Sequence, residues 1–314
     1  MNPLALFKRK LYKTLVLSDF YGYLQRRHQH EVRQHALERV GKGIDPLEIL
    51  SGEYDAAAWE ERIAVTMSCA DNLKIPRAAD AGKVRKGRLV MHNGVEVDLL
   101  SYYDVRMLSL LMRNKGVHEP QEELVFGKIL QAMKGKQPVM VEMGAYWAFY
   151  SLWFLSETNG RAFMVEAALD KIHTGQYNFR LNKRKGDFSL FRIGAQSDFA
   201  TNTITLDDYC RMKHISFVDI LHSDIEGFEG DMLEGASKML KEHKVGYLFI
   251  STHSNALHQS CMDALSGLGY QVVASANMDE SFSVDGVLVM KSPAYPGPDK
   301  VEITLNGIRS ADVS

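Results

Sequence analysis

Beyond Gln137 the chain alternates short apolar runs with helical stretches, and this rhythm restricts the fold more than any other feature. The runs are PVMVEM, RAFMVEA, FSLFRIGA, FVDILHSD, VGYLFIST, YQVVAS and GVLVMK. Short apolar runs without a polar face, separated by helices, are strands buried on both sides, and βαβ units build a parallel sheet covered by helices. At 314 residues and 46% apolar content the chain can bury one large α/β core plus a smaller appendage. In an open parallel sheet a ligand sits outside the carboxyl ends of the strands, where the strand order reverses.

The first 115 residues form an extension to a main domain spanning 116–314. From Met1 to about Ile49 the pattern is helical and basic, with Lys8, Arg9, Lys10, Lys13, Arg26, Arg27, Arg33 and Arg39 against Asp19, Glu31 and Glu38. Leu4, Leu6, Phe7, Leu11, Leu15 and Leu17 supply an apolar side. The plainer reading is a solvated helix packed on its own domain; the functional one is a surface for a phosphorylated substrate, for an anionic membrane surface or for assembly into a homo-oligomer. In RLVMHNGVEVDLL the pair Asn93-Gly94 separates two alternating strands and predicts a hairpin with a two-residue turn. SYYDVRMLSLLMRN and EPQEELVFGKILQAMK then read as helices, the second opened by Pro120 with acidic residues in its first turn. The segment after Pro293, rich in Pro and Gly, reads as a surface extension.

Charge and cysteine content exclude several classes of function. Lys plus Arg number 37 against 39 Asp plus Glu, so no general attraction draws the chain to nucleic acid. Cys69, Cys210 and Cys261 are odd in number and widely spaced, which fits neither a disulfide framework nor a zinc site and suits a reducing cytoplasm. The longest apolar run, around Val139 to Leu155, is interrupted by Glu142 and too short to span a bilayer.

The stretch VEMGAYWAFYSLWFL is where chemistry enters. Gly144 and Ala145 turn the first strand into a helix, so the backbone can approach a ligand and the helix N-terminus offers free N–H groups. Glu142 ends that strand, and Glu166 ends the next one 24 residues later, about where a carboxylate accepts hydrogen bonds from both hydroxyls of a ribose. A dinucleotide pyrophosphate would need more glycines in this turn and would be repelled by Glu142. The turn instead suits a nucleoside cofactor carrying positive charge, and S-adenosylmethionine, with its ammonium and sulfonium groups, meets that requirement. Glu142 as a mere strand-end charge and Gly144 as a mere turn remain the plain alternative.

At these residues the chain resembles the FkbM-type methyltransferases. VEMGAYWAFYSL is similar to the family's first motif, and VEAALDKIHTGQYNFRLN to the ribose-binding strand and helix, with Asn178 and Asn182 at its two asparagine positions. ITLDDYC and VDILHSDIEGFEGDMLEGA resemble its most specific block at Asp219, Asp224, Glu226, Gly227, Glu229, Leu233, Gly235 and Ala236. The resemblance runs from about Gly116 to Met290. It implies a seven-stranded Rossmann-like class I methyltransferase sheet, S-adenosylmethionine as methyl donor and a hydroxyl of a saccharide or secondary metabolite as acceptor. The residues placed at the cofactor are Glu142, Gly144, Ala145, Tyr146, Ser151, Glu166 and Ala167. The chain departs from the pattern at Tyr146, where the family has asparagine, at Ala148, where it has glycine, and at Ala167, where proline usually follows the glutamate. These departures are expected to crowd the methionine end of the pocket. His222 and Ser223 replace a lysine and an apolar residue.

Transfer of a methyl group to a hydroxyl needs an oxygen placed in line with the methyl carbon and a group that takes its proton. The carboxyl ends of the fourth and fifth strands supply the candidates Asp224, Glu226 and His253. His253 is the expected base, because imidazole titrates near working pH. Alternatively Asp224, Glu226 and His253 hold a divalent ion such as magnesium that acidifies the hydroxyl. Glu226 and Glu229 also suit the start of a helix on electrostatic grounds alone. Thr205 with Asp208 reads as a helix cap, His222 as a hydrogen-bonded core histidine, and His258 as facing substrate or solvent. The competing readings are a non-catalytic methyltransferase-like module that binds a nucleoside or docks a partner, favoured by Tyr146 and Ala148, and a nicotinamide-dependent oxidoreductase, disfavoured by the absent Gly-x-Gly turn.

Overall fold

The computed structural model describes residues 33–49 and 56–307. The chain divides between Tyr54 and Asp55 into two compact units. In the first, residues 33–41 are helical (α1) and Pro46–Ile49 form a 3-10 turn. The basic residues Lys8, Arg9, Lys10, Lys13, Arg26 and Arg27, and the apolar residues from Leu4 to Leu17, lie outside the described residues, as does the surface role expected of them.

The second unit holds everything from α2 (Ala56–Ser68) onward, including the hairpin. Strands β1 (Val84–Arg85), β2 (Arg88–Val90) and β3 (Glu96–Asp98) form a small antiparallel sheet. The β2–β3 connection is longer than the expected two-residue turn. The Met91 N–H donates to the Val95 carbonyl at 2.8 Å and the Gly94 N–H to the Met91 carbonyl at 2.9 Å, with Gly94 at φ +88°, so His92, Asn93 and Gly94 form the loop. The reason is His92, which is drawn inward to 3.0 Å from the Glu123 carboxylate.

Helix α3 (Val105–Arg113) is capped by Asp104, whose side chain accepts the Arg106 N–H at 2.9 Å. Helix α4 (Pro120–Met133) starts with proline at its first turn, where the missing N–H costs nothing. The seven apolar runs all become strands: β4 (Val139–Met143), β5 (Arg161–Glu166), β6 (Asp187–Leu190), β9 (Val218–Ser223), β10 (Val245–Thr252), β11 (Gln271–Ala276) and β12 (Gly286–Lys291). They lie in the order β11-β12-β10-β9-β4-β5-β6, with β12 antiparallel to both neighbours and the β10-β9-β4-β5-β6 pairs parallel. The order reverses between β4 and β9, so a cleft opens at their carboxyl ends. FSLFRIGA breaks after β6, and its second half, β7 (Arg192–Ile193), pairs with β8 (Thr203–Ile204).

Helices α5 (Phe149–Glu157), α6 (Leu169–Leu181), α7 (Leu206–Met212), α8 (Glu229–Gly235), α9 (Ser237–Lys241) and α10 (Asn255–Gly267) connect the strands. Val141, Val165, Leu221, Leu248 and Leu288 pack with Leu206, Tyr209, Met232 and Leu265 in one continuous core. At about 1.5–3 kcal/mol for each large apolar side chain, this burial is what holds the sheet. The cap foreseen at α7 is present, Thr205 Oγ1 accepting the Asp208 N–H at 3.1 Å. Cys69, Cys210 and Cys261 are buried free thiols.

Asn178 of α6 and Asn182 at its C-cap dock the hairpin onto the large sheet's domain. Asn178 Oδ1 accepts the Asp98 N–H at 2.9 Å and Asn182 Oδ1 the Glu96 N–H at 3.0 Å, while Asn182 Nδ2 donates to the Glu96 carbonyl at 2.6 Å. They act as a substitute strand edge for β3. Asn178 Nδ2 also donates to the Trp147 carbonyl at 2.9 Å, which ties the hairpin to the Gly144 turn. Among the described residues no helix is long and apolar enough to cross a membrane.

Candidate active site

The carboxyl ends of β4, β5 and β9 open into a cavity of about 440 Å³. Its form depends on one close approach. Gly144 has φ +75°, and a Cβ placed there would lie 1.7 Å from the Asp224 carbonyl oxygen. The Asp224 N–H donates to the Met143 carbonyl at 3.0 Å, and the Gly144 and Ala145 N–H groups converge on the Val165 carbonyl at 2.9 and 3.2 Å. The three strand ends are thereby stitched together at the one point where only glycine fits.

Glu142, Gly144, Ala145, Tyr146, Glu166 and Ala167 line the cavity. Glu166 is braced by backbone: its Oε1 accepts the Ala168 N–H at 2.8 Å and its Oε2 the Tyr146 N–H at 3.1 Å. An ionised carboxylate has about four acceptor positions, so acceptor capacity remains for a ligand's hydroxyls. Glu142 is buried, and desolvation pushes it up to about 7 against the lowering effect of His222 and Ser151. Ser151, expected at the cofactor, is not on the cavity wall. It sits in the first turn of α5, and its N–H donates to Glu142 Oε2 at 3.3 Å, so it orients Glu142 from behind.

The departures Tyr146 and Ala148 occupy left-handed backbone, at φ +40° and +57°. Glycine and asparagine tolerate that conformation best, so the turn keeps its geometry at a local cost on the order of 1 kcal/mol per residue. Tyr146 reaches the cavity, and its hydroxyl accepts the Tyr103 N–H at 3.0 Å. Ala148 does not crowd the cavity as expected: its methyl points at Gly175 of α6, where an added Cβ would meet it at 3.3 Å.

Much of the remaining wall was not foreseen. Phe191, Arg192, Ile193, Gly194 and Thr203 close the side beyond β6. Tyr102 and Tyr103, from the segment between hairpin and α3, form a roof. Tyr102 stacks on Trp147 with ring centroids 4.4 Å apart and planes at 13°, and the Tyr103 hydroxyl reaches Glu226 at 3.4 Å. The signal for the side wall was its position directly after the third strand; the roof carried no signal beyond two adjacent aromatics.

Behind the cavity lies a buried network of acids and histidines. Glu123, which is 0% exposed, accepts the His118 N–H at 2.8 Å and the Glu119 N–H at 3.1 Å, and lies 2.7 Å from His118 Nδ1 and 3.0 Å from His92 Nε2. Burial would raise Glu123, but His118 and His92 outweigh it and hold the carboxyl well below its usual range. Burial would likewise lower His118, yet Glu119 and Glu123 raise it to about 10. His118 Nε2 stands 3.1 Å from Glu119, which also accepts the Tyr150 hydroxyl at 2.8 Å. His222, read as a core histidine, is buried on the cavity wall with Nε2 at 2.7 Å from Glu122. Against burial, Glu122 raises it to about 9. The acidic first turn of α4 is therefore an internal charge centre and not a solvated helix start.

Asp224, Glu226 and His253 come together. His253 has carboxylates on every side: Nε2 lies 3.4 Å from Asp224, 3.6 Å from Asp285 and 3.7 Å from Glu226, and Nδ1 lies 3.1 Å from Glu229. Burial would lower it, but Asp224, Glu229 and Asp285 raise it to about 11. An imidazolium lacks the lone pair that a base needs, so the surrounding carboxylates weigh against His253 as the proton acceptor. Asp285, which was not foreseen, is pushed up to about 7 by burial, with Glu119 adding to the rise.

Asp224 and Glu226 line the cavity. Glu226 has left-handed backbone, φ +57°, and caps no helix; Glu229, the first residue of α8, accepts the Ile225 and Gly227 N–H groups at 3.3 Å each and fixes the loop. The magnesium expectation at Asp224, Glu226 and His253 finds no support. Among the described residues no group of three or more His, Cys, Asp or Glu is arranged to hold a metal ion. His258 faces neither substrate nor solvent: it is buried, with Thr252 Oγ1 at 2.9 Å from Nδ1 and Ser275 Oγ at 2.9 Å from Nε2.

This sheet order and a cleft with a carboxylate at each of its first two strand ends define a Rossmann-like methyltransferase architecture. Residues 147–272 match the methyltransferase FkbM domain. The match begins just after the Gly144 turn and ends before β12. No curated protein matches the chain in sequence. Among solved structures, it is similar to TrmK from M. capricolum in complex with S-adenosyl-homocysteine, with TM-score 0.39 and 12% identity, over 55% of this chain and 69% of that one. It is also similar to a precorrin-6y C5,15-methyltransferase from Geobacter metallireducens GS-15, with TM-score 0.39 and 14% identity, over 54% of this chain and 89% of that one.

Proposed function

We propose that the protein is an S-adenosylmethionine-dependent O-methyltransferase acting on a hydroxyl of a saccharide or secondary metabolite. The observation that carries this reading is that one cavity is lined at once by Glu142, Gly144 and Glu166 and by Asp224 and Glu226. The first set suits a nucleoside cofactor with positive charge; the second suits the acceptor. S-adenosylmethionine, when bound, supplies the methyl group on an already activated carbon. Glu166 would hold the ribose hydroxyls, with charge-assisted bonds of about 1.5–3 kcal/mol each, and Glu142 would face the positive end of the cofactor.

The rest of the work falls to positioning and to removal of one proton. Tyr102, stacked on Trp147, and Tyr103 give an aromatic roof over carboxylates, a combination that suits the apolar face and the hydroxyls of a sugar. Asp224, on the cavity wall, takes the acceptor proton. His253 holds Asp224 in place by charge. Replacing Asp224 by asparagine is expected to lower kcat roughly a hundredfold, the usual contribution of a positioned base, with affinity for S-adenosylhomocysteine within about twofold of wild type. The assay is labelled-methyl transfer to a panel of hydroxylated sugars and metabolites, alongside calorimetry. Near wild-type turnover by Asp224→Asn would remove it as the proton acceptor, and cofactor binding without transfer to any hydroxyl would favour a non-catalytic module.

A further inference from the structure

We infer that His222, together with Glu142, recognises the α-amino-acid end of the methyl donor, making His222 a ligand-selecting residue of the cavity. The inference rests on the S-adenosylmethionine reading above. Glu142 and His222 are register partners on the adjacent parallel strands β4 and β9, and both line the cavity. Side chains of paired residues leave the sheet on the same face, so the two groups stand side by side on the cavity floor.

The imidazole is fixed on three sides. Nε2 is anchored to Glu122 Oε1 at 2.7 Å, and the ring lies between Tyr150, with centroids 4.3 Å apart at 33°, and Phe249, 6.3 Å apart at 23°. Nδ1 has no hydrogen-bond partner among the described residues, although His222 is only 4% exposed. A buried polar atom left unpaired is costly and calls for a partner from outside the protein. The other cavity-lining histidine, His118, has a carboxylate close to each nitrogen, Glu119 at 3.1 Å and Glu123 at 2.7 Å. His222 therefore offers a cavity-wall imidazole nitrogen with no hydrogen-bond partner, beside the Glu142 carboxylate. An α-amino acid carries an ammonium and a carboxylate on one carbon, and so presents both kinds of group to neighbouring positions.

Calorimetry on the full chain with two ligands tests this. S-adenosylhomocysteine carries the amino-acid end, whereas 5′-methylthioadenosine keeps the nucleoside and thioether and lacks it. Wild type is expected to bind the first at least tenfold more tightly. His222→Gln, whose amide can still donate to Glu122, and His222→Phe, which keeps the ring packing, are each expected to shrink that preference to about threefold or less with little change for 5′-methylthioadenosine. Glu166→Ala should weaken both ligands alike. An unchanged preference in either folded variant, or equal loss of both ligands, overturns the inference and leaves the cofactor reading standing. Failure of wild type to bind either ligand overturns both.

Discussion

Gly144→Ala is expected to abolish measurable binding of S-adenosylhomocysteine and to destabilise the domain by about 2–5 kcal/mol. Left-handed backbone costs an alanine about 1–2 kcal/mol, and overpacking a rigid site adds about 1–3 kcal/mol more. The obstructing atom is the backbone carbonyl oxygen of Asp224, 1.7 Å from the added Cβ, and not a side-chain tip that can swing aside. Relief would require β4 and β9 to part at their carboxyl ends, where the cavity is formed. Urea denaturation with parallel ligand titration checks both effects. A stable Gly144→Ala protein with wild-type affinity would show that the strand-end contact does not shape the site.

The second large effect is expected at Glu123. Glu123→Ala should cost about 3–5 kcal/mol, because it leaves the buried His118 without one of its two counter-charges and frees two backbone N–H groups. The pH dependence follows from the directions of the shifts. Glu123 is depressed in the folded state, so its contribution is present above its ordinary value of 4.5 and lost as pH falls below it. His118 is raised, so its contribution is fully present below its ordinary value of 6.5 and lost as pH rises through about 10. The stability difference between wild type and Glu123→Ala should therefore peak near pH 5 to 6.5 and shrink on both sides. A difference below about 1 kcal/mol at pH 6 would mean that the network is not a charge centre.

The sheet was legible because fully buried parallel strands leave apolar runs too short for helices, and each run from PVMVEM to GVLVMK became a strand. Glu142, Gly144 and Glu166 were legible for a related reason: strand ends at a topological reversal are fixed by order alone. The surroundings of His253 and Ser151 were not legible, because they are set by residues distant in sequence. Nothing near His253 in sequence announces Asp285, and nothing near Ser151 says which way its N–H points. The extra loop residue at His92 was hidden similarly, since its partner Glu123 lies on a different element. Asn178 and Asn182 could be placed in the family pattern, but their partners in β3 belong to a segment outside it.

The central claim is that the cavity at the ends of β4, β5 and β9 is an S-adenosylmethionine site. Isothermal calorimetry of the wild-type chain against S-adenosylmethionine, S-adenosylhomocysteine and NADH, repeated with Glu166→Ala, tests it most directly. The account predicts micromolar binding of the two adenosyl ligands and at least tenfold weaker binding after the substitution, about 1.4 kcal/mol or more. Tighter binding of NADH, or affinity for S-adenosylhomocysteine that Glu166→Ala leaves unchanged, would contradict it.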